Sequence, residues 1–173
     1  MTERTCVLIK PDGVCKKWVG TVLARFEKAG LQLTGLKMAR LSRAQAESFY
    51  REHQGKPFYE PLIDFMTSAP IVAVIWQGEG AVQKARSLMG ATDSRQAQPG
   101  TLRRAYGFDN RRNLVHGSDS TQSAAREAAF FFKPEELFIY HEEDWQPKNE
   151  RASEKASKRD GESKKASHGF TAR

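Results

Sequence analysis

Along the first 147 residues, the spacing of apolar positions is typical of strands in some segments and of helices in others. A continuous apolar stretch within 5–10 and a segment rich in β-branched residues at 70–76 predict short buried strands. Residues 31–41 alternate in the manner of a strand, with an irregularity near Gly35. Leu114-Val115 predicts a fourth, very short strand.

Helical spacing of apolar residues predicts helices over 18–29, from Ser42 to about His53, from Pro57 onward, over 80–89 and up to Phe132. Ser42 with Gln45 fits a capping box, and Ser120 or Asp119 can cap the last long helix. Pro134 opens a last short turn. Residues 90–113 show neither period and predict a long irregular loop, a feature that is often functional in a compact domain.

Read in order, these elements give β-α-β-α-α-β-α-loop-β-α. Without the helical insert before the third strand, the order is βαββαβ. We therefore predict an α+β, ferredoxin-like fold, with a four-stranded antiparallel sheet, helices on one face, an inserted helical hairpin and a long active-site loop.

The chain has 173 residues and a formal net charge of +7, which suggests a polyanionic partner. More than half of this charge lies in residues 148–173, a segment with one aromatic residue, too few apolar groups to offset its ordering entropy. We predict one domain over 1–147 and a basic, disordered tail over 148–173. The tail is either solubilising or a low-specificity attachment to nucleic acid or acidic proteins.

Neither a membrane span nor a signal peptide is predicted, because the chain has no apolar run of eighteen residues and no basic-then-apolar start. The two cysteines, Cys6 and Cys15, form no disulfide framework and lack the spacing of zinc ligands. These features predict a protein of the reducing cytoplasm.

Glycine-rich phosphate loops are absent, so any phosphate site must rely on side-chain cations. Residues 113–120 place His116, two hydroxyls and a carboxylate just before a helix N-terminus, which favours anions. His116 is therefore a candidate nucleophile or base, although turn and cap chemistry alone also explains the segment. Tyr50 and Phe58 are candidates for stacking on a base or for the core. The candidate cations are Lys10, Arg86, Arg95, Arg103, Arg104, Arg111 and Arg112.

These residues, in this order, resemble nucleoside diphosphate kinases over about residues 3–147. The resemblance rests on Ile9-Lys-Pro-Asp-Gly13, Pro99-Gly-Thr-Leu-Arg103 and Asn113-Leu-Val-His-Gly-Ser-Asp-Ser120, with Phe132-Lys-Pro-Glu-Glu136 in support. It implies a phosphotransferase that moves the γ-phosphate of ATP to a nucleoside diphosphate by a ping-pong mechanism with Mg²⁺, and so maintains NTP and dNTP pools.

By the same resemblance, His116 is the nucleophile and carries the phosphate as a pros-phosphohistidine. Glu127 would orient the imidazole, Ser118 would support that carboxylate or the phosphate, and Tyr50 would lie near the histidine. Asp119 would help to place the metal through water. The positions that would hold the nucleotide are Lys10, Phe58, Leu62, Arg86, Thr92, Arg103, Asn110 and Asn113.

The sequence departs from the family pattern at two places. Asp93-Ser94 stands where the family commonly has Asn-Pro, which changes the long loop. Asn110 stands where the family has an apolar residue near the base, and we hypothesise that it hydrogen-bonds the base instead. The family forms hexamers or tetramers, and Glu143-Asp-Trp145 resembles the C-terminal ends of hexameric members, so we predict a homo-oligomer, a hexamer rather than a tetramer.

Two other functions remain open from the sequence. One is a nucleotide-fold protein that acts mainly by binding nucleic acid or a partner through its basic tail. The other is a catalytically silent scaffold subunit. A silent member is expected to lose His116, Lys10 or one of the arginines, and all of them are present.

Overall fold

The computed structural model describes residues 2–145. The predicted tail, 148–173, and the domain boundary at 147 lie outside the described residues. The chain divides into two units, and the second begins at Ile139. The described part of the second unit contains one 3₁₀ turn, Glu142–Trp145. The backbone N–H of His141, just before this turn, donates to Oδ2 of Asp144 across 2.8 Å.

The first unit is built on one antiparallel sheet with the strand order β2-β3-β1-β4. Its strands are β1 (Thr2–Ile9), β2 (Gln32–Ala39), β3 (Ile71–Glu79) and β4 (Val115–Gly117). Its helices are α1 (Pro11–Cys15), α2 (Val19–Lys28), α3 (Arg43–Phe49), α4 (Tyr59–Thr67), α5 (Ala81–Met89), α6 (Leu102–Tyr106) and α7 (Thr121–Phe131), with 3₁₀ turns at Arg51–His53 and Pro134–Glu136.

Both faces of the sheet are buried, because the two central strands are apolar at successive positions. On one face, Leu8 and Ile75 belong to a core with the aromatic and aliphatic residues of α3, α4 and α7. On the other face, Val7 and Trp76 pack with residues of α2 and α5, and the rings of Trp76 and Phe26 stack at 5.2 Å. The prediction of helices on one face only was therefore wrong. The continuous apolar run in β1 buries side chains on both faces of the sheet, so helices cover both.

The predicted α+β class and four-stranded antiparallel sheet are confirmed. The Ser42–Gln45 capping box is present, and the register of β2 against β3 shifts between Leu33 and Gly35. Several boundaries were wrong, among them the end of the third strand, which runs to Glu79 rather than to Trp76. The helix from Ser42 ends at Phe49, and a 3₁₀ turn follows it.

The fourth strand begins one residue later than predicted, at Val115, and runs to Gly117. The first strand begins at Thr2 rather than Thr5. The 90–113 segment is not wholly irregular, because it contains α6. Over the residues that the structure describes, no helix is both long and apolar enough to cross a membrane.

Candidate active site

His116 lies in the middle of β4, opposite Leu8 of β1. The strand is positioned by the residue that precedes it: Leu114 has φ 72°, a left-handed conformation that is rare for a leucine. Two contacts hold this conformation in place. The backbone N–H of Leu114 donates to Oδ2 of Asp12 across 3.0 Å, and its carbonyl accepts from the N–H of Lys10 across 2.9 Å. The start of α1 is thereby tied to the histidine strand.

One carboxylate oxygen binds both the histidine and a serine. Nε2 of His116 lies 2.9 Å from Oε2 of Glu127, and Oγ of Ser118 donates to the same oxygen across 2.8 Å. Glu127 and Ser118 are buried. Because a carboxylate accepts, the proton of the neutral imidazole sits on Nε2. Nδ1 of His116 is then left as the ring nitrogen with a free lone pair.

Two aromatic rings from the end of α3 surround the imidazole. The ring centres of Phe49 and Tyr50 lie 5.4 and 5.9 Å from that of His116, both in edge-on arrangements. The Tyr50 hydroxyl is buried and has no hydrogen-bond partner within residues 2–145. Burial, and then the charge of Glu127, raise the pKa of Tyr50, so this hydroxyl stays protonated at cellular pH.

Lys10 brings a buried charge to the same region. Its Nζ donates to Oδ1 of Asn113 across 2.7 Å and to the carbonyl of Arg111 across 3.2 Å. Asn113 is itself fixed, since its Nδ2 donates to the carbonyls of Thr92 and Asn110 across 2.8 and 3.0 Å. Burial, followed by repulsion from Arg103, lowers the pKa of Lys10 to about 7.

Arg103 is the second buried cation. Its two terminal nitrogens donate to the carbonyls of Gly90 and Val115 across 2.8 and 2.9 Å, and its buried Nε has no partner in the described part of the chain. Burial, and then the charge of the exposed Arg86, lower the pKa of Arg103 to about 10. Among residues 2–145, no carboxylate lies within ion-pair distance of Arg103 or Lys10. An anionic ligand would satisfy both.

His116, Glu127, Tyr50, Lys10, Asn113 and Arg103 line one open cleft of about 540 Å³. Eleven of the predicted site residues besides His116 line it, and Ser118 does not, because it lies behind Glu127. The predicted residues in the lining are Lys10, Tyr50, Phe58, Leu62, Arg86, Thr92, Arg103, Asn110, Asn113, His116, Asp119 and Glu127. Lining residues that the sequence analysis did not place in the site are Glu52, His53, Gly117, Ser123 and Arg126; Arg111 had appeared only as a candidate cation.

The part of the cleft wall formed by Phe58 and Leu62, in the helical insert, is apolar. Phe58 is 47% exposed, although most large apolar side chains of the sheet core are fully buried. Its ring meets that of His53 edge-on at 5.6 Å, and Leu62 lies beneath on α4. Burial lowers the pKa of His53, so this ring adds a mostly neutral surface to the wall. An exposed aromatic face of this kind suits stacking by a flat ligand.

Asp119 supplies one of two exposed carboxylates in the cleft lining, and the other, Glu52, forms an ion pair with Arg126. Its Oδ1 accepts from Oγ of Ser123 across 2.7 Å and from Oγ of Ser120 across 3.2 Å, and these hydrogen bonds lower its pKa. Ser120 and Ser123 also cap α7, so the carboxylate is fixed at the helix start. Within residues 2–145, no group of three or more His, Cys, Asp or Glu side chains is placed to hold a metal ion.

Comparison with known proteins agrees with this chemistry. The family model described as nucleoside diphosphate kinase matches residues 3–137. Nucleoside diphosphate kinases of Carboxydothermus hydrogenoformans and Pelotomaculum thermopropionicum are each 54% identical over 138 residues, which make up 80% of this chain and 93% of each relative.

Two solved structures are also similar. A nucleoside diphosphate kinase of Halobacterium salinarum, in complex with CDP, has a TM-score of 0.79 at 43% identity, over 82% of this chain and 94% of that one. One from Aquifex aeolicus has a TM-score of 0.77 at 38% identity, over 80% and 100%. The resemblance first seen in the motifs is confirmed, and this chain, a phosphotransferase, belongs to the nucleoside diphosphate kinase family.

Proposed function

We propose that His116 is the nucleophile of this nucleoside diphosphate kinase and carries the phosphoryl group on Nδ1, as a pros-phosphohistidine. The observation that carries the proposal is the 2.9 Å contact between Nε2 of His116 and Glu127, which leaves Nδ1 as the available nitrogen. The buried Lys10 and Arg103 bring two positive charges to the same cleft.

In the first half-reaction, the Nδ1 lone pair attacks the γ-phosphorus of ATP. The N–P bond forms as the bond to the bridging oxygen breaks, and ADP leaves with that electron pair. The ring now carries a positive charge and keeps its proton on Nε2, where Glu127 stabilises it. In the second half-reaction, a terminal oxygen of a nucleoside diphosphate attacks phosphorus and the N–P bond breaks. No net proton transfer is needed, so the imidazole returns to its starting form.

The other predicted residues act by binding. Lys10, Arg86 and Arg103 neutralise the phosphates, and Thr92 and Asn113 hold phosphate and sugar hydroxyl oxygens. Phe58 and Leu62 hold the base by stacking and packing, with Asn110 able to donate to its edge. The CDP in the Halobacterium salinarum relative supports a nucleotide as the ligand of this cleft.

Mg²⁺ is the cofactor we propose. It binds proteins through one or two carboxylates and substrate phosphates rather than through a full protein cage, and the exposed carboxylate of Asp119 in a basic cleft fits that pattern. Asp119 would hold the ion through water. When bound, Mg²⁺ neutralises charge on the phosphates.

We further propose a homo-oligomer in the cytoplasm, a hexamer rather than a tetramer. The edge strand β2 exposes Leu36 by 51% and Met38 by 62%, which supports association of the chain with other copies. The unpaired thiols of Cys6 and Cys15 support a reducing compartment. Native mass spectrometry of the full chain tests the number of copies.

Labelling without an acceptor tests the catalytic proposal. We expect γ-labelled ATP with Mg²⁺ to leave an acid-labile, base-stable label on the protein, and added diphosphate to discharge it. The label should be absent from His116→Ala. It should persist in His53→Ala, which removes the other imidazole of the cleft, and in His141→Ala, which removes an exposed one. A label that survives His116→Ala would overturn the proposal.

A further inference from the structure

The two oxygens of the Glu127 carboxylate have different surroundings. Oε2 contacts His116 and Ser118, whereas Oε1 lies 3.8 Å from Nη2 of Arg126. Among the lysines and arginines of residues 2–145, Arg126 is the one at ion-pair distance from this buried carboxylate. The orientation of Glu127 is thus defined by hydrogen bonds on one oxygen and by a positive charge on the other.

Arg126 is itself held by a second carboxylate. Its Nη1 forms an ion pair with Oε1 of Glu52, in the 3₁₀ turn that follows Tyr50. Arg126 belongs to α7, the helix that carries Glu127. The chain Glu52–Arg126–Glu127 therefore joins the helical insert to the helix behind the histidine, over 74 residues of sequence.

A second cavity shows why this orientation needs a restraint. It has a volume of about 130 Å³ and is lined by Ser48, Phe49, Arg51, Arg126, Glu127 and Phe130. Arg126 and Glu127 line the nucleotide cleft as well. Glu127 thus borders free space in two cavities, and a rotation of its carboxylate away from His116 would break the contact with Nε2.

We propose that Arg126 is a positioning residue that keeps Oε2 of Glu127 on His116, with Glu52 fixing Arg126 in turn. The proposal rests on the roles given above to His116 and Glu127. Arg126 acts through Glu127 and not on the substrate. Losing it frees the carboxylate to rotate, so Nε2 loses its fixed acceptor and the proton of the imidazole distributes over both nitrogens. The fraction of His116 with a free lone pair on Nδ1 then falls.

The structure also admits a direct alternative, because Arg126 lines the cleft and can contact phosphate. The two roles differ in their kinetics. A phosphate contact equally strong in ground and transition states would change KM, whereas a restraint on the nucleophile changes kcat. They differ also in the effect of Glu52: freeing Arg126 from Glu52 weakens a restraint and leaves a phosphate contact intact.

The test compares Arg126→Gln, Arg126→Lys and Glu52→Gln with Arg51→Gln, a matched control at an exposed arginine of the same small cavity. We expect Arg126→Gln to lower the single-turnover rate of histidine labelling about tenfold at saturating ATP, with KM changed by less than about twofold. Arg126→Lys should restore most of the rate, and Glu52→Gln should lower it less than Arg126→Gln does. Arg51→Gln should behave as the unchanged protein.

Nitrogen NMR of His116 gives a readout independent of turnover. The parent protein should show the Nε2–H tautomer, and Arg126→Gln a mixture of tautomers. A raised KM with unchanged kcat, or an unchanged tautomer in both Arg126→Gln and Glu52→Gln, would overturn the positioning role. If Arg126→Gln does not fold, Glu52→Gln decides by the same two measurements. A label that persists in His116→Ala would instead refute the proposed function, so the two failures are distinct.

Discussion

Nζ of Lys10 and Oδ1 of Asn113 are joined by a hydrogen bond of 2.7 Å at the floor of the nucleotide cleft. The second acceptor of Lys10 is a backbone carbonyl, so its charge is solvated by neutral dipoles rather than by a carboxylate. Lys10 is only 6% exposed. This burial, together with Arg103, lowers the pKa of Lys10 to about 7, which makes the free enzyme sensitive to pH.

The first prediction is that the free energy of unfolding of the nucleotide-free protein rises with pH because of Lys10. Below about pH 7 both states hold the proton, and the cost of the buried charge is fully present. Between about pH 7 and about 10.4, the unfolded chain keeps a proton that the folded chain has lost, so stability increases. Denaturant titrations across this range should show a smaller rise for Lys10→Met than for the exposed control Lys84→Met. Equal slopes in the two variants would contradict this account.

The second prediction concerns Ser118, which shares Oε2 of the buried Glu127 with His116. Ser118→Ala removes one of the two donors to that oxygen. We expect a loss of about 1–3 kcal/mol in the free energy of unfolding, together with slower formation of phosphohistidine. Ser87→Ala, at an exposed position of α5, is the control and should leave both quantities unchanged. A normal labelling rate in Ser118→Ala would limit this serine to a role in stability.

Much of the fold was predictable because its signals are local. The apolar runs of β1 and β3 report burial on both faces, and the serine caps at Ser42 and Ser120 report helix starts. The short helix α6 was not predictable, since its five residues, Leu-Arg-Arg-Ala-Tyr, are too few to show a period. What defines α6 is tertiary: Leu102 and Arg103 are buried against other elements.

The site, too, has residues that the sequence predicts and contacts that it does not. His116, Lys10 and Arg103 lie in contiguous motifs, so the sequence could name them. The contact of Arg126 with Glu52 spans 74 residues and depends on how α7 packs beside the helical insert, and no local pattern encodes it. The adjacency of Arg126 to Glu127 was visible in the sequence, but neighbours on a helix point in different directions, so adjacency alone predicts no contact.

The third prediction is that base recognition relies on Phe58. Phe58→Ala should raise KM for ATP, GTP and CTP by similar factors, of about tenfold, because stacking contributes about 1–3 kcal/mol and is tolerant of base identity. Steady-state kinetics would test this against Phe108→Ala, whose exposed ring lies under the guanidinium of Arg112 at 4.4 Å. A rise for one nucleotide alone would point to edge recognition.

Asn110 is the residue to test for edge recognition, and it gives the fourth prediction. Asn110 lines the cleft, and its backbone carbonyl accepts from Nδ2 of Asn113. Asn110→Val keeps the backbone contact and removes the side-chain amide. We therefore expect a change in the ratio of kcat/KM between nucleotides with different bases, and little change in the binding of the phosphates. Unchanged ratios would refute the hypothesis that Asn110 hydrogen-bonds the base.

The last prediction separates backbone strain from the support of Arg103. Gly90 and Gly100 have φ angles of 84° and 86°, in the left-handed region that favours glycine. A Cβ on Gly90 would lie 2.5 Å from Oγ1 of Thr101, whereas one on Gly100 would meet nothing within 4 Å. The carbonyl of Gly90 also accepts from Arg103.

Both Gly90→Ala and Gly100→Ala should therefore lose about 1 kcal/mol or more of stability through backbone strain. Gly90→Ala should lose more, because Thr101 must also move, and it should in addition raise KM for ATP by shifting the carbonyl that holds Arg103. Thermal unfolding and steady-state kinetics on the two variants measure these effects separately. If Gly100→Ala raised KM as much as Gly90→Ala does, the effect would come from the loop as a whole and not from the contact between Gly90 and Arg103.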